Sequence, residues 1–123
     1  NSGWRGDEIA IDHQKVLTFG GWSRAEDVSS SALYALDFKV TFEDGSYLWY
    51  YNDTRFATGT HDWQQIRITT AFDKPVVSVR PYVLLYRGTG TVWFDDISVQ
   101  VGGSATKGLY NGDFEIVSGD APA

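Results

Sequence analysis

Two adjacent carboxylates, Asp95 and Asp96, lie in the middle of a run of aromatic and β-branched residues that predicts a β-strand. A carboxylate inside a strand either faces water or is held by a cation, because an unpaired buried carboxylate costs several kcal/mol. The chain has no cysteine and 2 histidines, so a site of hard oxygen ligands favours calcium over zinc or copper. The candidate partners for such a site are Asp113 and Glu115.

Saccharide binding is the second chemistry that these residue types suggest. Sugar rings present apolar C–H faces that stack on flat aromatic side chains, and their hydroxyls bond to carboxylates, amides and guanidinium groups. The side of the predicted strands that faces away from the core offers such a set: Trp22, Asp37, Lys39, Arg80, Tyr82 and Tyr86. Trp22 is the strongest single candidate, and the two cations would suit an acidic glycan. Ordinary packing or a solvated surface is the alternative for each of the others.

A second aromatic cluster follows a predicted hairpin and contains Trp49, Tyr50 and Tyr51. Trp49 is included among the ligand-binding candidates. Aromatic pairs on neighbouring strands also stabilise a sheet without any ligand, so this cluster has a structural alternative. Trp63 and Trp93 are predicted to lie in the core.

Catalysis has little support in the sequence. A carboxylate pair for glycoside hydrolysis could join Asp37 with Glu26 or Asp53, but nothing sets the separation of roughly 5 to 9 Å that such a pair needs. His13 and His61 lie in a polar strand end and a loop, with no Gly-x-Ser-x-Gly nucleophile motif in the chain. We therefore expect no enzymatic activity.

The composition limits the classes of partner. The 123 residues are enough for one domain with a core, and the net charge of -6 argues against nucleic acid, which is held by clustered Lys and Arg. No apolar run approaches the roughly 20 residues that span a bilayer, so we expect no membrane insertion.

The strands that position these residues show period-2 alternation. It is clearest over residues 33–42, where Tyr34, Leu36 and Phe38 alternate with Ala35 and Asp37. The other predicted strands are 8–14, 15–24, 47–52, 63–72, 76–87 and the run that begins at residue 90. An Asp44-Gly45 hairpin, loops at 25–32 and 53–62, and a turn at 73–75 separate them. No segment has a helical period, so the sequence predicts an all-β, jelly-roll-like antiparallel β-sandwich.

Two motifs carry a resemblance to a known group. The run His61-Asp62-Trp63-Gln64 is followed after about thirty residues by the run from Thr89 to Val99, which contains Trp93-Phe94-Asp95-Asp96. This pattern resembles the secreted carbohydrate-binding modules of the family 4, 9, 16 and 22 group, which are calcium-containing β-sandwiches. The resemblance covers residues 15–101 and implies a secreted protein.

The resemblance also implies roles for particular residues. A structural calcium in the resembling modules lies where the opening strand meets the closing strand, which corresponds here to Glu115 and Asp96, with Asp113 nearby. Their glycan lies on the concave sheet face, and the Trp of a strand like Phe19-Gly20-Gly21-Trp22 is on that face. The same modules support an attached catalytic domain, here a glycoside hydrolase or polysaccharide lyase.

The end of the chain departs from this pattern. The run Asn111-Gly112-Asp113-Phe114-Glu115 opens the resembling modules, but here it follows a flexible connector near the C-terminus. We divide the chain into a module at 1–103 and a segment at 104–123 that carries an opening-type strand at 109–116. This strand packs in cis, packs in trans by strand exchange with another chain, or begins a following module, and we favour packing as a strand.

The predicted function is a non-catalytic module that holds a polysaccharide or oligosaccharide and keeps an attached glycan-degrading enzyme near its substrate. The alternative, from a different class, is a structural or adhesion spacer with no glycan ligand, because this sandwich hosts unrelated functions.

Overall fold

The computed structural model describes residues 2–102 and 108–118, and every regular element in these ranges is a β-strand. The seven strands are β1 Ser2–Arg5, β2 Ile9–Val28, β3 Leu33–Phe42, β4 Tyr47–Tyr50, β5 Gly59–Tyr86, β6 Gly90–Val101 and β7 Gly108–Ser118. All their pairings are antiparallel. The predicted all-β antiparallel fold is therefore confirmed. No helix in these ranges is long and apolar enough to cross a membrane.

Two long strands, β2 and β5, take part in both layers of the molecule. Residues 76–86 of β5 pair with β3 on one side and with β1 and the start of β2 on the other. Residues 59–71 of β5 pair with residues 16–28 of β2, which in turn pair with β6. We call β4, β3, residues 76–86 of β5, residues 9–14 of β2 and β1 the front layer. The back layer consists of residues 59–71 of β5, residues 16–28 of β2, β6 and β7.

The two long strands change layer at breaks in their register. Gln14 pairs with Val76, whereas Val16 pairs with Ala71, so β5 has additional residues at 72–75. His13 has a positive φ of 52° at the same place in β2. The predicted turn at 73–75 is thus a bend within one continuous strand, because Pro75 offers no N–H to a ladder.

The predicted loop at 25–32 begins too early in the sequence. Ala25 and Val28 pair with His61 and Gly59, and both are almost fully buried. The prediction of a loop from residue 25 was therefore wrong. Glu26 and Asp27 lie between these two residues and are both polar and exposed, so this part of the strand has no regular alternation in the sequence.

The core lies between the inward sides of the two layers. Leu17 and Phe19 of the back layer and Leu36 and Phe38 of the front layer have no exposed surface. The rings of Phe19 and Phe38 stack across the core with centroids 4.2 Å apart. Burying each such side chain contributes about 1.5–3 kcal/mol. Because the inward sides meet here, the outward sides of the two layers face solvent in opposite directions.

The segment predicted to hold an opening-type strand lies within β7. This strand pairs with β6 of the same chain, from Gly90 opposite Ser118 to Gln100 opposite Gly108. The division of the chain at residue 103 stays a prediction. The connector residues 103–107 and the end of the chain at 119–123 lie outside the described residues.

Candidate functional site

The structure brings six of the seven predicted ligand-binding residues to the outward side of the front layer. Lys39 of β3 lies directly between Trp49 of β4 and Arg80 of β5, and Asp37 lies opposite Tyr82. Residues directly opposite on antiparallel strands point to the same side of the sheet. Tyr86 is on the same side, opposite Leu33 at the far end of β5. We call this surface the front face.

A row of aromatic rings crosses the front face, in which Tyr47 and Trp49 are exposed and Tyr82 is half-buried. The ring of Tyr47 lies 6.3 Å from that of Trp49, and Trp49 lies 5.2 Å from Tyr82, both in edge-on arrangements. Tyr47 is 56% exposed and Trp49 is 45% exposed. Tyr47 was missed in the sequence analysis, although it lies two residues before Trp49 and so on the same side of β4. These rings could stack against flat, partly apolar ligands.

The hairpin before β4 positions this row. Asp44 accepts hydrogen bonds from the N–H and hydroxyl of Ser46, and Gly45 has the positive φ of 87° that the turn requires. Lys74, from the bend of β5, donates to Asp44 at 2.8 Å. These bonds hold the pKa of Asp44 well below its usual range, with Lys74 the largest cause. The predicted Asp-Gly hairpin is confirmed, and it is bonded to the bend of β5.

Trp49 and Tyr50 of the second aromatic cluster point in opposite directions. Trp49 contacts Tyr82 on the front face, whereas Tyr50 packs inward, with its ring 5.4 Å from Phe19 and 6.1 Å from Phe72. The predicted separate cluster is therefore divided between the front face and the core. Its outward member belongs with the residues of β3 and β5.

Cations lie beside the aromatic row. The Lys39 ammonium is 4.5 Å from the centre of the Tyr47 ring and 5.8 Å from that of Trp49. Next to it is a cleft of about 270 Å³, lined by Arg5, Glu8, Lys39, Thr41, Arg80 and Tyr82. Arg5 was missed because β1 has four residues and its pairing with β5 leaves no periodic signal. Glu8 was also missed, and it lies between β1 and β2.

Asp37 is the one buried carboxylate of the front face among the described residues, with 7% of its surface exposed. Its Oδ1 has no hydrogen-bond partner in the described part of the chain. Burial raises the pKa of Asp37 to about 6, and a hydrogen bond from the Phe38 N–H opposes that rise. A buried acceptor without a partner is costly, so this group could bind a ligand donor that reached it.

Trp22 lies on the other side of the molecule. It pairs with Gln65 and Asp95 on the outward side of the back layer, where it is half-buried. The prediction that it shares one surface with Asp37 and Tyr82 is therefore wrong. Alternation correctly indicates that Trp22 points away from the core, but it does not show which layer its strand joins.

The neighbours of Trp22 form a second surface, which we call the back face. Trp93 points outward there, with the Arg24 guanidinium 4.1 Å from the centre of its ring. Trp93 is half-buried and Trp63 is 42% exposed, so the prediction that both lie in the core is wrong. Phe94, the next residue in the strand, points inward and is buried. Trp93 therefore points outward, because successive side chains of a strand point to opposite sides of the sheet.

Of the residues considered for catalysis with Asp37, Glu26 lies in the other layer, whereas Asp53 precedes Thr54, whose carbonyl accepts a hydrogen bond from the Leu36 N–H next to Asp37. Glu26 pairs with Thr91 in the back layer, and Asp53 accepts a hydrogen bond from the Tyr50 hydroxyl at 3.1 Å. His13 is exposed on β2, and His61 stacks on Tyr34 with ring centres 5.9 Å apart.

Two of the three predicted calcium ligands, Asp96 and Asp113, are neighbours at the level of the backbone, and the third, Glu115, pairs with Trp93. β6 has a bulge between Phe94 and Ile97, where Asp95 and Asp96 stand opposite the single residue Asp113 of β7. Asp96 is exposed and has a positive φ of 52°. The side chains of Asp113 and Glu115 lie outside the described part of the structure, and the side chains that it does describe contain no metal-binding group of three. The calcium site stays a prediction.

Sequence comparison relates the chain to short parts of much longer proteins. It is 36% identical over 112 residues to the tRNA nuclease WapA of Bacillus subtilis strain 168, covering 87% of this chain and 5% of that protein. It is 36% identical over 110 residues to the tRNA3(Ser)-specific nuclease WapA of Bacillus spizizenii, again covering 5% of that protein. No protein-family model matches the chain. The chain thus spans about one-twentieth of these relatives.

Comparison of structures relates the fold to carbohydrate-binding modules. A CBM4 structure matches with a TM-score of 0.54 and 22% identity, over 80% of this chain and 60% of that one. The CBM22-1 xylan-binding domain of Paenibacillus barcinonensis Xyn10C matches with a TM-score of 0.51 and 15% identity, over 83% of this chain and 67% of that one. The β-sandwich of this chain is therefore similar in fold to carbohydrate-binding modules, as the two sequence motifs predict.

Proposed function

We propose that this chain is a non-catalytic module that binds a polysaccharide or oligosaccharide on its front face. The observation that supports this most directly is the row of the exposed Tyr47 and Trp49 and the half-buried Tyr82, which lies beside Lys39 and Arg80. A sugar ring needs such a combination, because its C–H face stacks on an aromatic ring while its edge carries hydroxyls. The similarity in fold to carbohydrate-binding modules supports the same function.

The module acts, in this proposal, as the targeting part of a longer protein. Binding to a polymer outside the cell keeps an attached catalytic part close to its substrate and raises the effective concentration of that substrate. The sequence predicts a glycoside hydrolase or polysaccharide lyase as that part. The curated relatives are named as tRNA nucleases, so a nuclease elsewhere in the parent chain is the second form of the same proposal.

RNA cleavage by this chain itself has little physical support. Its net charge of -6 opposes the approach of a phosphate backbone. The described side chains do not gather three His, Cys, Asp or Glu that could hold a metal ion. We propose that any nuclease activity of the relatives belongs to the remaining nineteen-twentieths of their length.

Affinity electrophoresis tests the proposed function. The chain is run in native gels that contain one polysaccharide each, from a panel of neutral and acidic polymers, beside a protein that binds none of them. We expect slower migration in at least one gel, and recovery of normal migration for a double variant, Trp49→Ala with Tyr82→Ala. Identical migration of the chain in every gel would contradict the proposal.

A structural or adhesion spacer is the second candidate, and the back face favours it. Trp22 and Trp93 are half-buried there, and Arg24 lies on the Trp93 ring. Such a surface could pack on a neighbouring domain of the parent chain. A spacer would bind no polysaccharide, and replacing Trp49 would change nothing except local packing.

Calcium is proposed as a structural ion at the bulge of β6. Asp96 would be one ligand, with Asp113 and Glu115 from the paired strand β7. The bulge and the positive φ of Asp96 place two consecutive carboxylate-bearing residues opposite Asp113. Hard oxygen donors of this kind suit calcium. An ion there would tie β7 to β6 and would take no part in saccharide binding on the opposite side of the molecule.

A further inference from the structure

The cleft at the centre of the front face collects positive charge in a chain that is acidic overall. Arg5, Lys39 and Arg80 are three of the 10 cationic side chains of the sequence, and all three line this one cleft. Among the residues that the structure describes, Glu8 is the only acidic one that lines the cleft. The sign of the charge here is thus opposite to the net charge of -6 of the whole chain.

The arrangement of these cations is unfavourable for the protein alone. Lys39 and Arg80 stand directly opposite each other on neighbouring strands, and like charges in that position destabilise a sheet. Arg5 adds a third charge from the next strand, opposite Tyr82. Among the described residues none of the three forms a salt bridge. An anion in the cleft would therefore relieve repulsion that the protein does not relieve itself.

The cleft is continuous with the aromatic row. Tyr82 belongs to both, since it lines the cleft and its ring lies 5.2 Å from that of Trp49. A ligand that stacks on these rings would therefore place a substituent among the cations. A hexuronate has this shape, because its ring carries a carboxylate at one edge. A guanidinium group binds a carboxylate through two parallel N–H···O bonds, which Arg80 could supply.

The size of the cleft limits the ligand. Its volume of about 270 Å³ is just below the range of roughly 300–1,000 Å³ for pockets that hold drug-sized molecules. It could accept one charged unit and not a folded polymer. Glu8 and Thr41 would remain for the hydroxyl groups of that unit.

We propose that the cleft lined by Arg5, Lys39 and Arg80 binds the carboxylate of an acidic sugar unit, so that the front face selects anionic polysaccharides. This inference rests on the proposed saccharide-binding function and gives its substrate class.

A matched pair of polymers tests this selection. The chain is titrated by calorimetry with a polyuronate and with the same polymer after its carboxyl groups have been methyl-esterified. We expect binding to the acid form to be about ten-fold to a hundred-fold tighter, because hydrogen bonds to a charged group contribute about 1.5–3 kcal/mol. Added salt should weaken the binding.

Variants that remove one positive charge each, inside or outside the cleft, test whether the preference for the acid form arises in the cleft. Arg80→Gln and Lys39→Gln should each lose most of the preference for the acid form. Lys15→Gln, which removes the same charge from an exposed position on β2, should keep it. Arg80→Lys keeps the charge without the forked geometry and should lie between Arg80→Gln and the parent chain. Circular dichroism confirms that each variant is folded.

Each other outcome has a defined meaning. Equal binding of the acid and ester forms would overturn the charge selection and leave saccharide binding intact, whereas binding to neither form nor to any neutral polymer would overturn both. A sulfated polysaccharide, a polyphosphate and single-stranded RNA are titrated in parallel, and tighter binding of any of these than of the polyuronate would overturn the assignment to a carboxylate. An equal loss in Lys15→Gln and Arg80→Gln would show general charge attraction and would also overturn it.

Discussion

The front and back faces contain similar residue types but use them differently. On the back face the Arg24 guanidinium lies 4.1 Å from the centre of the Trp93 ring, Trp22 and Trp93 are half-buried, and Trp63 is 42% exposed. On the front face Trp49 is 45% exposed, and Arg80 has no ring or carboxylate partner in the described part of the chain. Aromatic content alone therefore does not identify a binding surface. The front face differs in the cations beside its rings, which form no salt bridge among the described residues, and this difference supports the binding site proposed there.

The largest effect on stability is expected from replacing Phe19, whose ring packs between the two layers. Phe19→Ala removes the stack on Phe38 at the centre of the core. It should lower the free energy of unfolding by about 3–5 kcal/mol. Because β2 and β5 run through both layers, chemical denaturation followed by circular dichroism and by tryptophan fluorescence should give one coincident transition. Two separate transitions would show that the layers, and so their faces, are independent.

Asp37 should give the front face a pH dependence. Its pKa is about 6 in the folded protein and 3.8 in the absence of burial, so the folded state holds the proton more tightly between these values. The contribution of Asp37 to the free energy of unfolding is therefore complete below about pH 4. It declines by up to about 3 kcal/mol as the pH rises through about 6. Asp37→Asn should remove that slope.

The measurement for Asp37 is the free energy of unfolding of both proteins from pH 4 to pH 7. Lys39, Arg80 and Tyr82 lie on the strand positions around it. An unchanged slope in Asp37→Asn would assign the pH dependence to other carboxylates.

Calcium should act on the back layer only. At a concentration one hundred times its dissociation constant, an ion bound to the folded state alone adds about 2.7 kcal/mol to stability. We expect the Tm to rise with calcium and to fall with a chelator, and Asp96→Asn should remove this response. Polysaccharide binding on the front face should stay the same in calcium and in chelator at a temperature where the chain is folded. A response to calcium in Asp96→Asn equal to that of the parent chain would contradict the site.

The smallest expected effect comes from a pair of tryptophan variants, one on each face, which compares the two faces directly. Trp49→Ala should weaken polysaccharide binding about ten-fold, because it removes one stacking surface. Trp22→Ala removes an indole of the same size from the back face and should leave binding unchanged. Calorimetric titration of both variants with the polymer bound most tightly gives the comparison. A greater loss in Trp22→Ala would move the binding site to the back face.

Period 2 predicted the side of each strand well. On β3 it placed Tyr34, Leu36 and Phe38 inside and Asp37 outside, and three of these four are fully or almost fully buried core residues. It also placed Trp22 outside. It could not show that Trp22 and Asp37 belong to different layers, because the pairing of β2 with β6 joins residues that are far apart in the sequence.

The charged cleft illustrates a second limit on prediction. Lys39 and Arg80 were found from their strands, but Arg5 joins them through the pairing of β1 with β5. That pairing depends on tertiary structure and not on any local pattern. The bulge at Asp95 and Asp96 could not be predicted either, since two consecutive carboxylates in the sequence are compatible with a regular strand and with a bulge.

The two long strands also have a consequence for the speed of folding. Ser2 pairs with Leu85 in the front layer, and Leu17 pairs with Val101 in the back layer. Each pairing closes a loop of most of the chain before it gains any contact, and sandwiches dominated by such remote pairs fold in milliseconds to seconds. In a tandem protein synthesised from one end, this module would therefore stay open longer than a helical neighbour of the same size, and its unpaired strands would then be exposed to association with other chains.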